Sequence, residues 1–172
     1  MHNNNEIFRV FNLVSSEIIA ARLVYLVGGA VRDTVYGRKP KDYDLAVLAR
    51  RNDSPERIFS EMETFCSRMS QKGIKTEIFQ AYEGSAGSFD ERIQGLVKVY
   101  NGDVTIDVMW RTEESIYDVL SSFDFNFNQF FISETDASVI HGAAPAHLKQ
   151  LRFDVAPERI EYINNKWNEY ND

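Results

Sequence analysis

The chain has 172 residues, the length of one domain, and its 44% hydrophobic and 13% aromatic content is typical of a globular protein. A formal net charge of −7 argues against broad, unspecific affinity for nucleic acid, so we expect any RNA partner to be held by a local basic patch. The single cysteine excludes a disulfide framework, and no apolar run reaches the roughly 18 residues of a membrane span. We therefore predict one cytoplasmic domain over residues 1–172 with no membrane partner; the oligomeric state stays open.

Apolar residues three and four positions apart predict an amphipathic helix over residues 7–23, packed on a sheet. A short buried strand is predicted over 24–27, and it ends at the adjacent glycines Gly28 and Gly29. A helix of two turns is then expected over 30–36. The first part of the chain thus predicts a strand, a glycine turn and a short helix.

Residues 42–48 alternate between the two faces of a strand, which places the carboxylates of Asp42 and Asp44 on the same face. Ser54 as N-cap and Pro55 at the first helical position predict a helix that extends to residue 71. The two carboxylates are therefore expected on a strand that is followed by a long helix.

A strand is predicted over 74–82, and the glycine- and serine-rich stretch 84–88 is predicted to be a mobile loop. The dipeptide Asn101-Gly102 predicts a hairpin between strands over 93–100 and 104–110. In the second strand of this hairpin Asp107 lies on the face opposite to its apolar neighbours. The hairpin thus presents one carboxylate on an otherwise apolar strand.

A short helix over 113–120 and an aromatic-rich run over 123–133 follow, and the tail over 146–171 is predicted to be helical in two pieces around Pro157. Together these elements predict an α/β protein with a mixed, mostly antiparallel sheet backed by helices.

Asp42 and Asp44 lie about 6.6 Å apart along the strand, at about 3.3 Å per residue, and paired carboxylates are ligands that hard divalent cations prefer. A third carboxylate from a neighbouring strand, for which Asp107 is the candidate, would complete a two-metal centre. We therefore predict two Mg²⁺ ions, with Mn²⁺ as a substitute.

The glycine turn suits a phosphate chain, because Gly28 and Gly29 lack Cβ atoms and lie at the start of a helix. Arg32, one turn later, can hold a triphosphate oxygen. Lys41 belongs to a basic turn beside Asp42, where it either steers a triphosphate or offsets the local acidic charge. These residues predict a nucleoside triphosphate (NTP) as substrate.

The run LVGGAVRDTVYGRKPKDYDLAV, residues 26–47, resembles the signature of class II CCA-adding tRNA nucleotidyltransferases and bacterial poly(A) polymerases. These belong to the DNA polymerase beta-like nucleotidyltransferase superfamily, so the resemblance implies that fold. It also implies that Asp42 and Asp44 bind the catalytic metals, and that Gly29 and Arg32 contact the incoming nucleotide.

Two later segments continue the resemblance, which covers about residues 24–153. IDVMWRTE is similar to a family strand and places Asp107 and Arg111 on matching positions. SFDFNFNQF is similar to the family's second motif, with Asp124 and Asn128 on matching positions. The resemblance thus implies Arg111, Asp124 and Asn128 as further nucleotide contacts.

The chain also departs from the family. Two arginines that precede the Asp-Phe-Thr of the second motif are here Ser122 and Phe123, so a phosphate contact is missing. We expect a stand-alone, truncated catalytic head, without the neck helix that selects CTP and ATP and without the surface that holds tRNA.

We therefore expect a Mg²⁺-dependent nucleotidyltransferase that moves a nucleoside monophosphate from an NTP to a hydroxyl acceptor, RNA or another molecule, and releases pyrophosphate. One alternative is a nucleotide-binding or partner-binding module that has lost catalysis, which the missing arginines favour. Another is a metal-dependent glycosyltransferase, since such enzymes also use Asp-x-Asp. The sequence identifies neither the acceptor nor the base.

Overall fold

The computed structural model describes residues 5–80, 92–136 and 139–172. The helices are α1 (Asn5–Ser15), α2 (Gly29–Val35), α3 (Pro55–Gln71), α4 (Ile116–Ser121) and α5 (Pro157–Asn171). The strands are β1 (Val24–Val27), β2 (Asp42–Val47), β3 (Lys75–Gln80), β4 (Ile93–Asn101), β5 (Val104–Arg111) and β6 (Phe131–Ser133). Short 3-10 turns lie at Asn126–Asn128 and Glu134–Asp136.

The strands form one sheet in the order β3-β4-β5-β2-β1-β6. β2 and β5 are parallel, whereas the other four neighbouring pairs are antiparallel. The predicted mixed, mostly antiparallel sheet is therefore confirmed, as is the β4-β5 hairpin at Asn101-Gly102. The parallel pair lies in the middle of the sheet, so its register decides which side chains of β2 and β5 meet.

One face of the sheet packs against α1 and α3. Its core combines apolar side chains of the central strands with those of the two helices, among them Tyr43, Leu45, Val47, Ile106, Val108, Phe11 and Phe65. On the other face α4 covers β1, β2 and β6 through a second apolar cluster that includes Ala46, Leu48 and Val119. The alternation predicted for β2 is thus confirmed, and it turns Asp42 and Asp44 away from the larger core.

The C-terminal helix α5 packs on the aromatic run that precedes β6. Ile163 is fully buried in a third apolar cluster with Phe125 and Phe127. The ring of Trp167 lies edge-on to that of Phe127, with their centres 5.1 Å apart. Aromatic packing therefore fixes α5 beside α2, at the edge of the candidate site.

The first helix is shorter than predicted, since α1 ends at Ser15 instead of continuing to residue 23. Ala20 and Ala21 have φ angles of 68° and 51°, which a right-handed helix does not allow. The next residue, Arg22, is buried and forms ion pairs with Asp53 at 2.7 Å and Glu61 at 2.6 Å. These long-range charge contacts fix the turn where the apolar pattern predicts helix.

The predicted α3 is confirmed from Pro55 to Gln71, and the Ser54 hydroxyl accepts a hydrogen bond from the Arg57 N–H at 3.1 Å. The tail differs from the prediction, because residues 146–156 form no helix. They pair instead with the aromatic run, where the Leu151 N–H donates to the Asp124 carbonyl at 2.7 Å.

Two further sequence predictions concern chain mobility and the membrane. The predicted mobile loop, residues 84–88, lies outside the described residues. Across the three described ranges, every helix is too short or too polar to cross a membrane.

Candidate active site

The structure brings the three predicted carboxylates together on one face of the sheet. In the parallel pairing of β2 with β5, Asp44 lies directly opposite Asp107, and Asp42 lies opposite Thr105. Asp42 and Asp44 are two residues apart, so their side chains leave the same face of β2. The register thus places Asp107 where the sequence analysis expected a third carboxylate.

Burial and mutual repulsion change the protonation of these carboxylates. Burial, together with the negative charges of Asp107 and Asp42, raises the pKa of Asp44 to about 6. Burial also raises the pKa of Asp107, while Lys98, whose Nζ lies 3.6 Å from Asp107 Oδ1, acts in the opposite direction. These three carboxylates, Asp42, Asp44 and Asp107, form an acidic patch whose negative charge a bound cation would neutralise.

The chemistry of these residues fits a divalent cation. Asp107 Oδ1 is buried and has no hydrogen-bond partner, and carboxylate oxygens are the ligands that Mg²⁺ prefers. Among the described residues, however, no three His, Cys, Asp or Glu side chains are close enough together to form a ready metal site. Carboxylate ligands are thus present, but the side chains of Asp42, Asp44 and Asp107 do not converge on one metal position.

The glycine turn lies next to these carboxylates. Gly28 has a φ of 78°, which glycine adopts at low cost, and its N–H donates to the Phe130 carbonyl at 3.2 Å. A Cβ at this position would lie 3.9 Å from Asp44 Oδ2, and one at Gly29 would lie 3.3 Å from Arg32 Nη2. The turn therefore brings bare backbone close to both the acidic patch and Arg32.

Arg32 is buried and held in one orientation. Its Nη1 donates to Asn128 Oδ1 at 2.6 Å, and its Nε donates to Asp33 Oδ1 at 2.9 Å. Asn128 Nδ2 in turn donates to Asp124 Oδ1 at 3.1 Å. Two of the predicted nucleotide contacts, Asp124 and Asn128, thus lie behind Arg32 and fix its side chain.

A cleft of about 490 Å³ opens over this region. Its lining combines the acidic pair of β2, the start of α2, the basic turn and one face of α5: Gly29, Ala30, Arg32, Asp33, Lys39, Lys41, Asp42, Asp44, Arg159, Tyr162, Lys166 and Tyr170. Lys41 therefore lines the same cleft as Asp42 and Asp44.

Arg111 does not reach this cleft. It lies four residues beyond Asp107 on β5, about 13 Å at roughly 3.3 Å per residue. Its guanidinium pairs with Glu113 at 2.8 Å and donates to Ser122 Oγ at 3.1 Å. These contacts at the end of β5 hold the Arg111 side chain away from Asp42, Asp44 and Asp107.

Sequence reasoning missed the contribution of α5. Arg159, Tyr162, Lys166 and Tyr170 are spaced by three, four and four residues and line the cleft from one helix face. Arg159 Nε donates to Asp124 Oδ2 at 2.8 Å, and the Tyr170 hydroxyl donates to Asp33 Oδ1 at 3.0 Å. The spacing was visible in the sequence, but nothing there showed that α5 folds back onto α2.

The fold defines the class of the protein, which is a domain of the polymerase beta-like fold. The fold is similar to that of the Thermotoga maritima CCA-adding enzyme complexed with tRNA_CCA, with a TM-score of 0.58 and 19% identity, covering 94% of this chain and 37% of that one. It is also similar to an apo tRNA-processing enzyme, with a TM-score of 0.53 and 19% identity, covering 83% of this chain and 34% of the other.

The model of the poly A polymerase head domain family matches residues 24–144, and the chain belongs to this family. It is 31% identical over 163 residues to the CC-adding tRNA nucleotidyltransferase of Halalkalibacterium halodurans, an alignment that covers 80% of this chain and 42% of that protein. The chain therefore spans less than half the length of this curated relative. The family predicted from the motif of residues 26–47 is confirmed.

Proposed function

We propose that this chain transfers a nucleoside monophosphate from an NTP to a hydroxyl acceptor and releases pyrophosphate. The observation that carries the proposal is the pairing of Asp44 with Asp107 on adjacent parallel strands, with Asp42 two residues away. Beside them lie a glycine turn and a cleft with several cationic side chains. Membership of the poly A polymerase head domain family supports the same reaction class.

In this proposal Asp42, Asp44 and Asp107 hold the divalent cation or cations, Mg²⁺ or Mn²⁺. When bound, such a cation neutralises phosphate charge and favours the deprotonated acceptor hydroxyl. The raised pKa of Asp44 fits this role, because burial and the charges of Asp107 and Asp42 disfavour its carboxylate form more than Arg159 and Lys98 favour it.

The remaining work of the site is positioning and charge stabilisation, which phosphoryl transfer chiefly requires. Arg32 lines the cleft, and its bonds to Asn128 and Asp33 hold its guanidinium in one orientation there. Gly28 and Gly29 allow phosphates to approach the backbone. The triphosphate thus lies between the glycine turn and the carboxylates.

We further propose RNA as the acceptor. The Halalkalibacterium halodurans relative is a tRNA nucleotidyltransferase, and a family head domain with a net charge of −7 needs a local cationic surface to hold RNA. The exposed turn that carries Arg38, Lys39 and Lys41 supplies such a surface at the rim of the cleft.

The proposal is tested by incubating the protein with Mg²⁺ or Mn²⁺, each labelled NTP in turn, total RNA and total protein. We expect label on RNA with the unaltered chain and none with Asp42→Ala or Asp44→Ala, provided that both variants keep their circular dichroism spectra. Undiminished label with either folded variant, or no label on any acceptor, would contradict the proposal.

A second candidate is a nucleotide-binding module without catalysis. Ser122 accepts a hydrogen bond from Arg111, and Phe123 packs against the α4 cluster, so neither supplies a cation to the cleft. Isothermal titration that shows Mg²⁺-dependent NTP binding, without pyrophosphate release on any acceptor, would favour this candidate. Family membership argues against the glycosyltransferase alternative.

A further inference from the structure

The helix α5 forms one wall of the cleft, and its docking is specific. Ile163 is fully buried against the aromatic run. At the C-terminal end of α5 the Tyr170 hydroxyl bonds to Asp33 at 3.0 Å, and Glu169 pairs with Arg38 at 3.1 Å. Contacts along its whole length thus hold α5 against α2, and its polar face points into the cleft.

This wall is cationic. Arg159 and Lys166 are seven residues apart, two turns on one helix face, and both line the cleft. Arg32 and Lys41 line the same cleft from α2 and the basic turn. Cations therefore stand on both sides of a space whose floor carries Asp42 and Asp44, an arrangement that suits a polyphosphate accompanied by a divalent cation.

Arg159 has the geometry of a phosphate ligand. Asp124 Oδ2 accepts from its Nε at 2.8 Å and thereby orients the side chain. That bond uses one of five guanidinium N–H groups and leaves the four on the Nη atoms. The side chain is 43% exposed, so these donors are accessible.

We propose that Arg159 binds the triphosphate of the nucleotide, with Lys166 as a second cationic contact, and that α5 is therefore part of the nucleotide site. The proposal rests on the proposed function. The proposal also gives Asp124 a defined role. Its Oδ2 accepts a hydrogen bond from Arg159, and its Oδ1 accepts one from Asn128, which in turn holds Arg32. One acidic residue then positions arginines from both walls.

The test is isothermal titration of the full chain with Mg²⁺ and inorganic tripolyphosphate, and in parallel with each NTP, at fixed ionic strength. We expect Arg159→Ala to weaken tripolyphosphate binding by about tenfold to a hundredfold, the usual effect of losing a charged hydrogen bond. Arg159→Gln, which keeps a donor for Asp124, should show a similar loss and decides the matter if the alanine variant does not fold.

Arg68→Ala is the matched control, since Arg68 is a helical arginine with 46% exposure and a carboxylate partner, Glu17, outside the cleft. Its tripolyphosphate affinity should stay within about twofold of the unaltered chain. Asp124→Asn removes the charge that orients Arg159 and, through Asn128, Arg32, so this variant should also weaken tripolyphosphate binding.

The outcomes separate the two proposals. If the unaltered chain binds NTP but Arg159→Gln binds tripolyphosphate as well as the unaltered chain does, the role of Arg159 is overturned while the proposed function stands. If the unaltered chain binds neither NTP nor tripolyphosphate, both proposals fall.

Discussion

Asp44 is the residue at which stability and function most clearly conflict. It is largely enclosed by protein, and it faces two other carboxylates, Asp107 and Asp42, both of which raise its pKa. A carboxylic acid at this position does not stabilise the fold, because burial and the neighbouring carboxylates disfavour its charged form. The cation of the proposed site would offset the cost of this charge when it binds.

The effect of the Asp44 charge on the free energy of unfolding depends on pH, and this dependence can be measured. Folding raises the pKa of Asp44 from 3.8 to about 6, so the folded state favours the protonated carboxyl. The stability contributed by that preference is fully present below pH 3.8 and is lost as the pH rises through about 6. Above that pH the ionised group lowers the free energy of unfolding by a constant amount.

We therefore expect Asp44→Asn to raise the free energy of unfolding by on the order of 1 to 3 kcal/mol at pH 7.5 in the presence of a chelator. The gain should shrink as the pH falls from 6 to 4, because the unaltered carboxyl becomes protonated. Urea unfolding at a series of pH values measures it. A gain that is absent, or that does not change with pH, would contradict the electrostatic description of the site.

Arginines show what sequence reasoning could and could not predict for single residues. Arg32 lies four residues after Gly28, within one short helix, so local spacing sufficed to place it at the cleft. Arg111 matched a family position, but Glu113, two residues away, neutralises it. Arg159 was missed, because its place in the cleft depends on contacts with residues more than 30 positions away.

At the scale of elements, α5 is the helix whose docking matters most for the cleft. Its Ile163 is completely buried in a cluster with Phe125 and Phe127, and Trp167 and Tyr170 of the same helix pack against the ring of Phe127. One wall of the cleft therefore depends on a small apolar contact, and weakening this contact should affect both stability and ligand binding.

We expect Ile163→Ala to lower the free energy of unfolding by about 2 to 4 kcal/mol, the usual cost of truncating a buried isoleucine. The variant should also weaken tripolyphosphate binding, because Arg159 and Lys166 lie on the same helix. Asn165→Ala, an exposed change two residues away on α5, is the control and should alter stability by less than about 0.5 kcal/mol. Equal stability of the two variants would show that α5 is not docked as described.

Elements with strong local signals were predicted from the sequence. The Ser54 cap and Pro55 fixed the start of α3, and Asn101-Gly102 fixed the β4-β5 hairpin, because both depend on neighbouring residues alone. The end of α1 and the path of residues 146–156 were predicted wrongly. Distant partners decide both, the buried ion pairs of Arg22 in one case and pairing with the aromatic run in the other.

At the scale of the whole molecule, the decisive feature is the parallel register of β2 and β5. Sequence alternation fixed the face of Asp42, Asp44 and Asp107 separately, but it could not fix which strands are neighbours or how they are aligned. A shift of the pairing by one residue would place Asp107 opposite a side chain on the other face. The site therefore depends on a contact between segments about 60 residues apart, formed through the core that α1 and α3 cover.

The measurement that tests this account most directly is the rate of nucleoside monophosphate transfer by Asp107→Asn, with saturating Mg²⁺, NTP and an RNA acceptor. The account predicts a rate at least about a thousandfold below that of the unaltered chain, with the fold and the urea stability retained. A folded Asp107→Asn protein that transfers within about tenfold of the unaltered rate would contradict the claim that the carboxylates of β2 and β5 act as one catalytic centre.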